Sequence, residues 1–252
     1  MLISCQETKK DGPWNGYHSA VVLTYDDGLN EHLDIVVPTL DSAGLKGSFY
    51  IPGNAGTLHN RLDEWRRIAE KGHELGNHTL FHPCAGKSEG RDWITDDYDL
   101  DNYSLTRMLD EIKVASTLLK AIDGKEKRTF AYTCGDKEVE DSVFSHLMND
   151  DILAARDVIA RMEKPGQVDW ERVGAFVVDG QSGAELIALA EKARKKGMLL
   201  VFLFHGVGGG HSMNVSATAH KELAEYLANK KDEIWVAPLV KVAARCRPTK
   251  NP

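Results

Sequence analysis

The sequence predicts an α/β fold, a closed or nearly closed (β/α) barrel of about seven parallel strands in a single domain. Three observations point there. Short apolar runs alternate with amphipathic stretches along nearly the whole chain. About seven such β–α units in roughly 230 residues suit a closed or nearly closed barrel better than the alternative, an open doubly wound sheet. No linker-like, repetitive or low-complexity segment divides the 252 residues.

Taken in order, the apolar runs place strands at residues 21–24, 47–51, 74–77, 129–132, 152–155, 175–178 and 199–204. Between them, residues 32–43 put Leu33, Val36, Val37 and Leu40 on one helical face. Residues 61–71 do the same with Leu62, Trp65, Ile68 and Ala69. Residues 105–122 form the longest such stretch, and 183–196 and 216–229 repeat the pattern. Gly44, Gly72 and Gly197 stand where helices should end. Residues 83–104, rich in Asp, Tyr and Trp, are too many for a plain connection and read as a lid or cleft wall.

Composition narrows the function. With 42% hydrophobic and 27% charged residues the chain is an ordinary globular protein. A net charge of −7 without a long basic run argues against nucleic acid as a partner. No apolar stretch is long enough to span a membrane. Cys5, Cys84, Cys134 and Cys246 are scattered without a CxxC pair, which argues against a cysteine zinc site and against a disulfide framework. Leu2-Ile3-Ser4-Cys5 reads like the end of a bacterial lipoprotein signal, lacking the charged and apolar regions before it. It suggests a lipid anchor at Cys5 and a periplasmic or cell-surface location, with the cytoplasm as the alternative. Residues 1–16 then form a tail, and residues 17–247 the catalytic domain.

The chemistry is concentrated at three strand ends. The run Val21-Val22-Leu23-Thr24-Tyr25 leads straight into Asp26-Asp27-Gly28. Adjacent carboxylates repel and are costly to bury, so a strand ending this way calls for compensation, usually a metal. One aspartate can then ligate while its neighbour takes protons. The second cluster, Gly76-Asn77-His78-Thr79-Leu80-Phe81-His82-Pro83, spaces two histidines so that both can reach one ion. One carboxylate and two imidazoles form a recurring metal set with positions left open for water. The third is a wholly apolar strand ending in Phe204-His205-Gly206, where a histidine can protonate a leaving group. The glycine-rich run from Gly206 to Gly210, before His211, lacks the Lys-Ser/Thr ending of a phosphate loop and reads as a loop beside the cleft.

These three motifs, in this order, resemble the polysaccharide deacetylases of carbohydrate esterase family 4. The resemblance runs from about residue 20 to 245. It implies a distorted (β/α) barrel in which Asp27, His78 and His82 hold a divalent metal, commonly Zn2+. It further implies Asp26 as general base and His205 as general acid, acting on an acetylated polysaccharide or oligosaccharide. The third family motif departs here, in Phe130-Ala131-Tyr132-Thr133-Cys134-Gly135. Where many members carry an arginine that orients the base, this chain has Ala131. Arg128 does not replace it, because three positions along an extended strand put it on the opposite face. Cys134 stands where members often have tyrosine and still offers a backbone N–H to an oxyanion. The fourth motif is poorly marked. Asp169-Trp170 matches by spacing, Asp179 is a candidate to orient His205, and Trp170 and Trp93 are candidate sugar-stacking surfaces.

Two other readings compete. One is a metal-dependent amidohydrolase on a small non-sugar substrate, suggested by the missing arginine. The other is a catalytically silent glycan-binding module, against which stands the intact set Asp26, Asp27, His78, His82 and His205.

Overall fold

Eight parallel strands carry the architecture. In the computed structural model, which describes residues 12–86 and 90–248, they are β1 (Ser19–Asp26), β2 (Ser48–Ile51), β3 (Glu74–Asn77), β4 (Arg128–Ala131), β5 (Ile152–Arg156), β6 (Phe176–Val177), β7 (Leu199–Phe204) and β8 (Ile234–Val236). Their order across the sheet is β5-β4-β3-β2-β1-β7-β6. One edge of β1 pairs with β7 from Ala20 to Tyr25. Its other edge pairs with β8 over Ser19–Val21 and with β2 over Thr24–Asp26. At the open side, Arg156 at the end of β5 bridges to Val173, three residues before β6, and the Asp157 N–H donates to the Val173 carbonyl, so the sheet curls into a half-barrel.

The two central strands are buried on both faces, as parallel sheets covered by other layers require. Their side chains alternate with a period of two. Val21, Leu23 and Tyr25 join Leu200, Phe202 and Phe204 in the core beneath the helices. Ala20 and Val22 join Leu199, Val201 and Leu203 in a second cluster on the inner face. The same parity carries Asp26 and His205 toward that inner face, one step beyond the apolar residues.

All seven strands read from the sequence are present, and so are the five amphipathic helical stretches. These become α1 (Val37–Ser42) with a wide turn over His32–Val36 before it, α3 (Leu62–Glu70), α4 (Leu105–Asp123), α5 (Gly183–Lys196) and α6 (Ala217–Asn229). α5 shows why such a helix starts and stops where it does. Ser182 accepts the Glu185 N–H while the Glu185 carboxylate accepts the Ser182 N–H, and Gly197 ends it in the left-handed region at φ 66°. Among the elements the sequence reading passed over are β8, the short α2 (Gly56–Asn60) and α7 (Leu239–Cys246).

The cysteine reading needs correction. Cys84 and Cys134 form a disulfide despite a separation of 50 residues. Their segments follow the neighbouring strands β3 and β4, so adjacency in the sheet brings together what the chain keeps apart. The lipidation motif at Cys5 lies outside the described residues. Among the described residues, no helix is long and apolar enough to cross a membrane.

Candidate active site

The three motifs converge at the C-terminal ends of the strands, where a parallel sheet leaves its loops free for chemistry. β1 delivers the two aspartates. Asp26 is still extended strand, but Asp27 and Gly28 are left-handed, at φ 76° and 61°. That turn points the two carboxylates differently. A Cβ on Gly28 would come within 2.8 Å of Ile51, so glycine is required there twice over. Asp26 is 3% exposed and Asp27 is partly open to the cleft.

β3 delivers the histidines through two further left-handed residues, Thr79 at φ 63° and His82 at φ 55°. The Asn77 side chain accepts the Thr79 N–H at 2.8 Å, and the Thr79 hydroxyl accepts the His82 N–H at 2.9 Å, which stabilises the turn. His78 Nδ1 lies 2.9 Å from the Ala131 carbonyl. A carbonyl only accepts, so Nδ1 carries a proton, and in the neutral ring the lone pair is left on Nε2. That lone pair faces Asp27 Oδ1 at 3.6 Å, and His82 Nε2 faces the same oxygen at 3.4 Å. Burial, and then the neighbouring His78, push the His82 pKa down to about 4, so at neutral pH its ring also has a lone pair to offer. Burial works to raise the Asp27 pKa, but the surrounding imidazoles, His78 first, outweigh it and keep the carboxyl well below its usual range. An anion and two imidazole lone pairs, with ligand atoms within 4.8 Å of one another, face a common point. This donor set fits a divalent cation such as zinc.

The arginine absent at position 131 is supplied one strand over. Arg156, fully buried at the end of β5, pairs its guanidinium with Asp26 Oδ2. Ala131 and Arg156 are register partners across the β4–β5 pair, so an arginine from either position starts on the same face of the sheet. Asp26 Oδ1 is buried and has no hydrogen-bond partner among the described residues. Arg128 lies on the opposite face, as its parity requires, and donates to the Leu75 and Lys125 carbonyls.

β7 delivers His205, whose Nε2 is 4.0 Å from Asp26 Oδ2 and 4.0 Å from Asp27 Oδ2. Burial lowers its pKa, with Asp26 and Asp27 opposing the shift. Its backbone carbonyl accepts a hydrogen bond at 2.8 Å from His32 Nε2, because His32 Nδ1 is occupied accepting the Leu29 N–H. His211 stacks on the His205 ring with centroids 4.7 Å apart. It reaches there because the glycine loop is tied off by the pairing of Gly206–Val207 with Asn214–Val215.

Asp26, Asp27, His78, His82, Trp93, Cys134, His205 and His211 line one cleft of about 550 Å³. Its apolar lining comes from Tyr132, Val158, Val177, Leu203 and Met213. Trp93, 62% exposed, stands on the wall built by the long irregular segment. Trp170 does not line this cleft. It is buried in the inner-face cluster with Trp14, because the chain before it doubles back along β5 and β7, where Glu163 pairs with Leu199 and the Trp170 carbonyl accepts the Ala155 N–H. Asp179 is exposed, and its carboxylate accepts the Asn214 N–H at 3.2 Å instead of engaging His205. His205 Nδ1 has no partner among the described residues. Sequence reasoning missed Arg156 and the disulfide. The signal for Arg156 was its place just past the apolar run 152–155, next in order after the run 129–132 that holds Ala131.

Comparison with known proteins agrees with this geometry. The family model for polysaccharide deacetylase matches residues 15–165, more than half of the chain. A peptidoglycan-N-acetylglucosamine deacetylase of Bacillus cereus is 37% identical over 78 residues, covering 30% of this chain and 26% of that protein. A chitin deacetylase of Arthroderma benhamiae is 30% identical over 71 residues, covering 28% and 19%. The match thus spans about a quarter or less of these curated relatives. Among solved structures, a peptidoglycan N-acetylglucosamine deacetylase superposes with a TM-score of 0.56 at 18% identity, covering 92% of this chain and 90% of that one. A carbohydrate esterase family 4 domain of a multidomain xylanase, from the hindgut metagenome of Trinervitermes trinervoides, superposes with a TM-score of 0.56 at 16% identity, covering 93% and 94%. At that identity the likeness shows the fold, and the family model carries the assignment: the chain belongs to the polysaccharide deacetylase family.

Proposed function

We propose that this protein is a metal-dependent deacetylase that removes acetyl groups from an N-acetylated glycan. The observation that carries the reading is the convergence of Nε2 of His78 and of His82 on Asp27 Oδ1, at 3.6 and 3.4 Å, beside an Asp26 held by Arg156. In their neutral rings these nitrogens are acceptors like the carboxylate, and a cation between them relieves the repulsion. Asp27, His78 and His82 would hold the metal, zinc in this reading, which when bound supplies Lewis acidity toward the acetyl carbonyl and the attacking water.

The chain's own groups do the rest. Asp26 takes the proton from the water, and the Arg156 guanidinium holds that carboxylate in place. The Cys134 N–H donates to the developing oxyanion. His205 gives a proton to the departing sugar nitrogen. Trp93 offers an exposed ring face to the apolar side of a pyranose. The names of the curated relatives, a peptidoglycan and a chitin deacetylase, favour an N-acetyl substrate over an O-acetylated xylan. A disulfide beside the site supports work outside the reducing cytoplasm, in the periplasm or at the cell surface.

Acetate release from chitooligosaccharides, peptidoglycan fragments and acetyl-xylan, each with and without a chelator, tests this. The expected result is chelator-sensitive release, fastest from an N-acetylated substrate. Chelator-insensitive release, or none from any of the three after zinc loading, would overturn it. A silent module remains the second reading, because a structure with a TM-score of 0.53 to this chain is a mutant of a pseudoenzyme of carbohydrate esterase family 4 with restored activity.

A further inference from the structure

The site has two flanks, and one of them is weakly paired. β3 and β4 share a single register pair, Asn77 with Phe130, whereas β3 and β2 pair along the whole strand. Both loops that leave this seam toward the site are left-handed, at Thr79 and His82 on one side and at Cys134 and Gly135 on the other. Such backbone persists only where its surroundings over-determine it.

Here the surroundings are a set of ties from loop to loop. The Thr133 hydroxyl donates to the Pro83 carbonyl at 2.5 Å. The Asp136 carboxylate accepts the Ala85 N–H at 2.9 Å and the Arg91 guanidinium at 2.6 Å. Arg91 also donates to the Cys134 carbonyl at 2.9 Å. The covalent tie is the Cys84–Cys134 disulfide, with Cα atoms 5.7 Å apart. Cys84 is fully buried two residues past His82, its Sγ 3.6 Å from His82 Nδ1. Cys134 faces the cleft.

We infer that the Cys84–Cys134 disulfide is a positioning part of the site. It fixes His82 against the Cys134 backbone, so that metal binding and turnover belong to the oxidised protein and fall when the bridge is cut, while the fold persists. The roles of His82 and Cys134 rest on the deacetylase reading; the dependence of metal affinity on the bridge does not need turnover. Cutting the bridge with a trialkylphosphine is a balanced step. The phosphine is oxidised to its oxide, taking oxygen from water, and the disulfide gains two electrons and two protons to become two thiols.

The test compares the full chain oxidised, phosphine-treated, and as the Cys84→Ser/Cys134→Ser variant. Zinc affinity is measured by competition with a chromophoric chelator, folding by circular dichroism, and cleavage by counting thiols. The serine pair separates loss of the bridge from ligation by freed thiols. Zinc affinity should fall about 10–100-fold in the reduced protein and in the variant, the range seen when a support behind a ligand is lost. Circular dichroism should be unchanged, and the variant should ignore the phosphine. Equal affinity in oxidised and fully reduced protein would overturn the inference, as would loss of circular dichroism on reduction, which would make the bridge a folding staple. Absence of acetate release from the oxidised, zinc-loaded protein would instead refute the deacetylase reading and leave the affinity comparison standing.

Discussion

The two flanks of the site reach the same precision by different means. On the β1–β7 flank, Asp26, Asp27 and His205 extend from strands paired from Ala20 to Tyr25 and buried on both faces. Their position is inherited from the packing of Tyr25, Phe202 and Phe204 below. On the β3–β4 flank, His78, His82 and Cys134 leave strands that share one register pair, and turns, side-chain hydrogen bonds and a disulfide set their position. The first flank should therefore fail with the core, and the second by local release.

The largest effect is expected where the first flank rests on packing. Phe202→Ala removes a fully buried ring from the main core cluster and should cost about 3–5 kcal/mol of stability in denaturant titration. A loss under 1 kcal/mol would show that the strand pairing stands without it.

Acid should expose the same flank next. His220 Nε2 lies 2.7 Å from the Tyr25 hydroxyl in that core, and burial pushes its pKa down to about 4. A histidine depressed in the folded state binds fewer protons folded than unfolded. Its contribution is therefore intact above its unfolded pKa and is lost as pH falls from about 6.5 to about 4. The window amounts to roughly 3 kcal/mol. His220→Phe should flatten the fall of the melting temperature between those pH values, and an unchanged slope would assign acid sensitivity elsewhere.

The link between the flanks is Arg156. Arg156→Met should retain the metal and lose about 100-fold in turnover, as a misplaced base does. Adding Ala131→Arg should restore part of the loss, since both positions start on the same face of adjacent strands. Turnover equal to that of the parent chain in Arg156→Met would mean that Asp26 is held by something else.

What the sequence could show follows the same division. The β1–β7 flank was legible, because the runs 21–25 leading into Asp26 and 199–204 leading into His205 are local signals. The His78/His82 spacing was legible for the same reason. The devices that secure the other flank were not. Arg156 reaches Asp26 across 130 positions of sequence and Cys84 reaches Cys134 across 50. Only the strand order brings either pair together. Trp170 misled because its spacing after the third motif matched while the intervening chain folded back into the core. β8, three residues long, gave too little periodicity to read.

In the proposed function, the turn at Asp27 divides the aspartate pair into a metal ligand and a base. Bound zinc and acetate release, measured side by side for Asp26→Asn and Asp27→Asn, test it most directly. Asp26→Asn should hold about one zinc per chain and release almost no acetate, while Asp27→Asn should lose the zinc itself. Zinc retained at full affinity in Asp27→Asn, or turnover surviving in Asp26→Asn, would contradict the division.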